Sequence, residues 1–189
     1  MFRRWFDYRI KTRAALTLPD PDLAWAVVEP VWQLPTPADS SVRRHWRWRF
    51  VTTGQIMVYS ATWLERELLN GGYAQYFANP WGHFYADAAH ALREFGLPEH
   101  AQLLGHAGAL FPGGIPPLRR DQRQVCISGW AHKAISSGQA DADAEELTVV
   151  NDVVFSDIYN RFLDLYGDGT AYYARMGGYV RSHPSEFFQ

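Results

Sequence analysis

The chain is poor in most of the features that announce a function. It has a single cysteine, Cys126, among 189 residues. That excludes an internal disulfide framework and fits a reducing compartment. No apolar run approaches the roughly 20 residues that span a bilayer. Residues 1–8 are charged and aromatic, without the apolar middle and small-residue cleavage site of a secretory signal. A cytoplasmic location without membrane attachment is therefore expected. There is no internal repeat and no low-complexity tract. The run Pro112-Gly113-Gly114-Ile115-Pro116-Pro117 is rich in glycine but lacks the Lys-Ser/Thr tail and the preceding strand of a phosphate loop. No nucleophile–base pair stands out, so no catalytic residue, resident metal or cofactor is assigned.

The net charge of −2 gives no overall pull toward nucleic acid, yet it is unevenly spread. Nine Lys and Arg face five Asp and Glu through Phe50, and nine face fifteen beyond it. With 47% hydrophobic and 15% aromatic residues, the chain has ample material for a core. The reading is all-α: a single compact multi-helix domain over residues 51–189, with residues 1–50 as a basic, aromatic extension packed on it.

The stretch around which the rest is organised is residues 68–79. Helical periodicity runs into it from about residue 54, with Thr52 or Thr53 as cap and Ile56, Tyr59, Trp63, Leu64 and Leu68 near one face. Asn70 and Gly71 stand where that helix is expected to end, because glycine takes the left-handed conformation of such an ending at little cost. Gly72 then permits close approach of the backbone. Tyr73, Tyr76 and Phe77 make an aromatic turn, and Asn79-Pro80 launches the next helix. Gln75 and Asn79 are expected to pair with backbone groups stranded by the turn. Glu67 is expected to accept hydrogen bonds from the backbone at Gly71 and Gly72.

Before the corner, Arg3, Arg4, Arg9, Lys11 and Arg13 interleave with aromatics in a terminal helix or strand. Asp20-Pro21 starts a helix to about residue 33, with Pro30 as a kink or early end. In the run Arg43, Arg44, His45, Trp46, Arg47, Trp48, Arg49, Phe50, strict alternation puts Trp46, Trp48 and Phe50 on one strand face. A helix with snorkelling arginines is the other reading.

After the corner, residues 81–95 read as an amphipathic helix with Phe84, Tyr85, Ala88, Leu92 and Phe95 inward. His83, Asp87, His90 and Glu94 share its opposite stripe, at a spacing that suits a divalent metal. Residues 99–111 form a second helix, with Leu103, Leu104, Ala107, Leu110 and Phe111 inward and His100 and His106 toward water. A helix over 118–136 has a basic start in Arg119, Arg120 and Arg123. Residues 141–166 read as one helix opened by Asp141, Asp143, Glu145 and Glu146. Its stripe is Leu147, Val150, Val154, Ile158, Phe162 and Leu165. With Val149, Val153 and Phe155 it is apolar around enough of its circumference to be central. Asp157 falls in that apolar region and is expected to pair with an arginine. A last helix covers 170–183, and a tail follows with Phe187 and Phe188 to dock.

The segments LLNGGYAQYFANPWG, AAHALREFGLPEHAQLL, ALFPGGIPP, SDIYNRF and YVRSHPSEFF together resemble the DNA mimic protein 19 family, over roughly residues 55–188. The resemblance implies an all-helical fold. From the founding member it implies a dimer whose acidic face occupies the DNA-binding surface of a transcription factor, so a homodimer is open here. It supplies no catalytic residues. The candidate acidic face is Asp141, Asp143, Glu145, Glu146, Asp152, Asp164 and Asp168, with Asp157 not counted toward it and Arg161 as the one counter-charge. The leading reading is a non-enzymatic protein-interaction module whose partner is a DNA-binding regulator or a toxin-like protein. Two alternatives stand beside it. One is an enzyme built on Glu67, Asn70 and Gln75, or on a His83, Asp87, His90 metal stripe. The other is a nucleic-acid binder through residues 43–49, which the acidic remainder disfavours.

Overall fold

Helix α2, Thr53–Ala78, is the axis of the molecule. The computed structural model describes residues 7–11, 13–35 and 46–189, and within these α2 touches α1, α3, α5, α6, α7 and α9. Those partners are α1 (Asp20–Trp32), α3 (Tyr85–Glu94), α5 (Arg120–Ser136), α6 (Glu146–Val150), α7 (Ser156–Tyr166) and α9 (Pro184–Phe187). The remaining helices are α4 (Pro98–Ala109) and α8 (Thr170–Ser182). The architecture is all-helical, and the described residues form no strand beyond one isolated bridge between Ile10 and Phe188.

Both ends of α2 are pinned. At its start Thr52 and Gln55 form a reciprocal capping box, which satisfies two of the amides a helix leaves open. The tail adds a second pin. The Glu186 carboxylate accepts from the Gly54 amide at 3.1 Å, and the Thr52 hydroxyl donates to the Glu186 carbonyl at 2.6 Å. A Cβ on Gly54 would lie 2.8 Å from Glu186 Cβ and from the Phe187 ring, so that glycine is what lets the tail in. Phe187 and Phe188 are buried, as their composition leads one to expect, and Ile10 clamps the backbone beside them through bonds of 2.7 and 3.0 Å.

On one flank α1 packs against α2 and α8. It runs two residues past Pro30, so the proline neither ends nor shortens it as the sequence suggests. Leu23, Ala24, Val27, Val28 and Val31 are all fully buried, and Arg181 of α8 pairs with Asp20 at its start.

The alternating segment is a 3-10 turn, Trp46–Phe50, rather than a strand. With three residues per turn the period of two is lost. Trp48 enters the core against Tyr59 and Phe84, with centroids 5.3 and 5.5 Å apart. Arg47 and Arg49 stay exposed, the latter 4.8 Å over Phe50.

The largest correction concerns residues 141–166. They form α6, a π turn over Asn151–Phe155, and α7, while Asp141 and Asp143 precede the helix in a turn. The π turn inserts a residue into the helical register, so the single stripe splits. Val149, Val150, Phe155 and Phe162 are buried, but Leu165 is 37% exposed and Asp157 faces water. The central helix is α2 instead. It was harder to recognise because it buries Gln55, Ser60, Thr62, Glu65 and Glu67. These are satisfied from within: Ser60 and Thr62 donate to the Met57 and Val58 carbonyls at 3.0 and 2.8 Å, and Glu65 accepts from the Tyr166 hydroxyl at 2.5 Å.

Two smaller corrections fall on α4. Leu110, expected inward, is 43% exposed, one residue past the end of the helix at Ala109. His106 is exposed as expected, but His100 is buried between the edges of Phe162 and Tyr172. Burial holds its imidazole below the usual 6.5, with the Glu99 charge opposing weakly. A depressed histidine favours proton uptake by the unfolded chain. Stability is therefore expected to be full above pH 6.5 and to decline as pH falls from there toward the folded value. Urea midpoints between pH 7.5 and 5 measure this, and His100→Gln should flatten the slope.

Candidate functional site

The corner is a break inside α2, not an end to it. Gly71 has φ −168° and ψ 23°, Gly72 has φ +71° and ψ −168°, and helical geometry resumes through Ala78. Only Gly72 occupies the left-handed region that excludes other residues. A break of this kind strips helical hydrogen bonds from the backbone on both sides. Two of them are replaced by one side chain, from the first residue of the π turn. Asn151 donates through Nδ2 to the Gly71 carbonyl and accepts through Oδ1 from the Ala74 amide at 2.9 Å. A Cβ on Gly72 would lie 2.6 Å from Asn151 Oδ1. The glycine thus serves the amide's approach as well as its own φ.

The same break gathers the predicted polar residues, though in different pairings. In a straight helix Glu67 and Gln75 would be about 12 Å apart, and Glu67 and Asn79 about 18 Å. Here Glu67 Oε2 accepts from Gln75 Nε2 at 2.9 Å and from Asn79 Nδ2 at 2.7 Å. The two amides therefore serve the buried carboxylate rather than stranded backbone, because Asn151 has already taken that task. Asn70 is exposed outside the arrangement. Tyr73, Tyr76 and Phe77 are buried above it, and burial raises both phenols well above their usual range.

Sequence reasoning missed Asn151, Glu65 and Arg123. Arg123 is fully buried. It donates to the carbonyls of Phe77, Asn79, Pro117 and Leu118 at 2.7, 3.0, 2.9 and 2.7 Å, while Arg120 reaches the Ala78 carbonyl at 2.8 Å. The carbonyls at the end of α2 are thus closed by guanidinium groups, a favourable sign for a helix C-terminus. Desolvation lowers Arg123 to about 10, so it remains cationic at neutral pH. Gly82 leaves room for it: a Cβ there would meet Arg123 Nε at 2.8 Å. The available signal was the charge itself, since arginines in a first helical turn oppose that helix's own dipole.

The histidine stripe does not assemble. Residues 80–84 form a 3-10 turn, Pro80–Phe84, ahead of α3, so His83 leaves the register of Asp87 and His90 and is buried. His90 is exposed, 4.0 Å from Glu94. Among the described residues no three His, Cys, Asp or Glu side chains gather as metal ligands. Of the arginine run, Arg43 and Arg44 lie outside the described residues, as do Arg3 and Arg4 of the leader.

The acidic residues all face water: Asp141, Asp143, Glu145, Glu146, Asp152, Asp164 and Asp168, and Asp157 with them. Some serve local structure. Glu145 accepts from the Thr148 hydroxyl and Glu146 from Ser128, both at 2.8 Å, and Asp168 accepts from the Thr170 amide at 2.9 Å. Among the described residues none of the eight is in an ion pair. No described helix is long and apolar enough to cross a membrane.

The corner's own test is energetic. Asn151→Ala leaves the buried Ala74 amide and the half-buried Gly71 carbonyl open and is expected to cost about 1–3 kcal/mol in urea unfolding. Glu67→Ala, which strands two side-chain amides, should cost about 1–3 kcal/mol in the same measurement.

Neither the comparison with curated proteins nor that with solved structures found a match. The model of one protein family does match, over residues 50–183, from the 3-10 turn ahead of α2 to the end of α8. That span contains the broken helix, Asn151 and the buried arginine, and the chain belongs to the DMP19-like protein family.

Proposed function

We propose that the chain is a non-enzymatic interaction module that docks a basic protein partner, such as a DNA-binding regulator or a toxin-like protein, on its acidic surface. The observation carrying this reading is the run from Asp141 to Asp168. Eight carboxylates there are exposed and only Arg161 is of opposite sign. Unneutralised carboxylates repel one another in the free protein. A cationic partner relieves that repulsion and gains rate and register from it. Family membership supports a protein partner.

The corner supports the reading from the other side. Its carboxylate is buried and both of its observed partners are amides of the same helix. The arrangement holds two half-helices at a fixed angle, which suits a scaffold for a surface.

The test is capture from a native lysate by the tagged full chain, with mass spectrometry. The expected result is a reproducible basic protein, released by raising salt because exposed charges are screened. Neutralising Asp152, Asp157, Asp164 and Asp168 together to Asn should abolish capture and leave the unfolding midpoint near its original value. Capture that survives both salt and neutralisation would contradict the proposal.

A further inference from the structure

The outward face of α1 carries a groove that the proposed acidic surface does not include. It has a volume of about 640 Å³ and is lined by Asp22, Trp25, Ala26, Glu29, Trp32 and Gln33. These positions recur every three or four residues, so they form one stripe along the helix. The stripe lies opposite Leu23, Ala24, Val27, Val28 and Val31, which fill the core. The indoles of Trp25 and Trp32 lie 5.0 Å apart, tilted by 35°, and both are only partly buried. Exposed carboxylates stand beside them at Asp22 and Glu29.

Two indole faces flanked by two carboxylates are a chemistry for a cation. The ring quadrupole attracts positive charge at its face, and a carboxylate adds a directed hydrogen-bonding partner. The protein already uses half of this chemistry on itself. The Arg66 guanidinium lies 5.2 Å from the Trp25 ring, 6.0 Å from Trp32 and 5.4 Å from Trp63. These contacts show that the tryptophan cluster accepts a guanidinium as neighbour. Among the described residues neither Asp22 nor Glu29 is in an ion pair.

We infer that this groove is a second docking site and that it receives an arginine side chain of a partner protein. Its planar guanidinium would stack on the indoles and bond to Asp22 or Glu29 in the same pose. Lysine satisfies the charge but offers no plane to stack and no fork for the carboxylate. The inference shares with the proposed function only the premise of a basic protein partner. It concerns different residues on a different helix.

The experiment uses the full chain, ¹⁵N-labelled, titrated with a short arginine-containing peptide and with the lysine peptide of equal length and charge. Indole N–H resonances report the site, assigned with Trp25→Phe and Trp32→Phe variants. The expected result is selective movement of the Trp25 and Trp32 signals by the arginine peptide, with binding several-fold tighter than for lysine. Asp22→Asn with Glu29→Gln should weaken that binding about tenfold, while the four-Asp neutralisation of residues 152–168 leaves it unchanged. Equal binding by the double variant, or movement only of signals away from α1, would overturn the inference. If a basic partner is captured from lysate but the peptide leaves Trp25 and Trp32 unmoved, the docking site fails and the acidic-surface proposal stands. If the peptide binds as expected but no partner is captured, the reverse holds.

Discussion

A helix interrupted in the middle of a protein must recover its hydrogen bonds from somewhere, and in this chain one amide 80 residues away supplies two of them. Asn151 supplies a donor to Gly71 and an acceptor to Ala74, standing in for the stretch of ladder that Gly71 and Gly72 remove. The interruption directs the second half of α2, with its cluster of Tyr73, Tyr76 and Phe77, into the core. It also folds Gln75 and Asn79 back onto Glu67. The π turn on the other side has a matching cause, because the residue it inserts begins with the side chain that fills the break. Two irregularities that each weaken their own helix are held by their contact with each other.

The two ends of α2 follow the same logic. Its first amides meet Thr52, Gln55 and Glu186, and its last carbonyls meet Arg120 and Arg123. Elements distant in sequence therefore converge on one helix, including the tail and the start of α5. A scaffold tied this way has both ends and the middle of its axis fixed by side-chain hydrogen bonds. Stiffness is what a docking surface needs when charged side chains must be held in register at little further entropic cost. The acidic run and the α1 groove both sit on elements packed directly against α2.

The sequence made the helical class, most helix positions and the location of the corner legible, because glycine pairs, capping threonine and amphipathic stripes have local causes. Thr52 and the docking of Phe187 and Phe188 are of this kind. What stayed hidden was set by distant partners. Gly71-Gly72 reads as a helix end, and the partner that makes it a break instead, Asn151, is 80 residues away. Glu67 pairs with amides and not with backbone because that backbone is already satisfied. The uninterrupted stripe of residues 141–166 concealed the π turn, since an inserted residue leaves composition unchanged. His83 was misplaced for a similar reason: a 3-10 turn rotates each residue further than an α-helix does, and the spacing alone does not announce it. The family resemblance agreed with the helical class, but the pairings inside the corner had to come from geometry.

The most direct measurement of the central claim is native-state hydrogen exchange at the Ala74 amide. If the Asn151 side chain closes the break, Ala74 exchanges only on global unfolding in the natural chain. In Asn151→Ala it should exchange by local opening while Val58 and Ala61 in the first half of α2 keep their protection. Rapid exchange at Ala74 in the natural chain, or protection there unaltered by the substitution, would contradict the account.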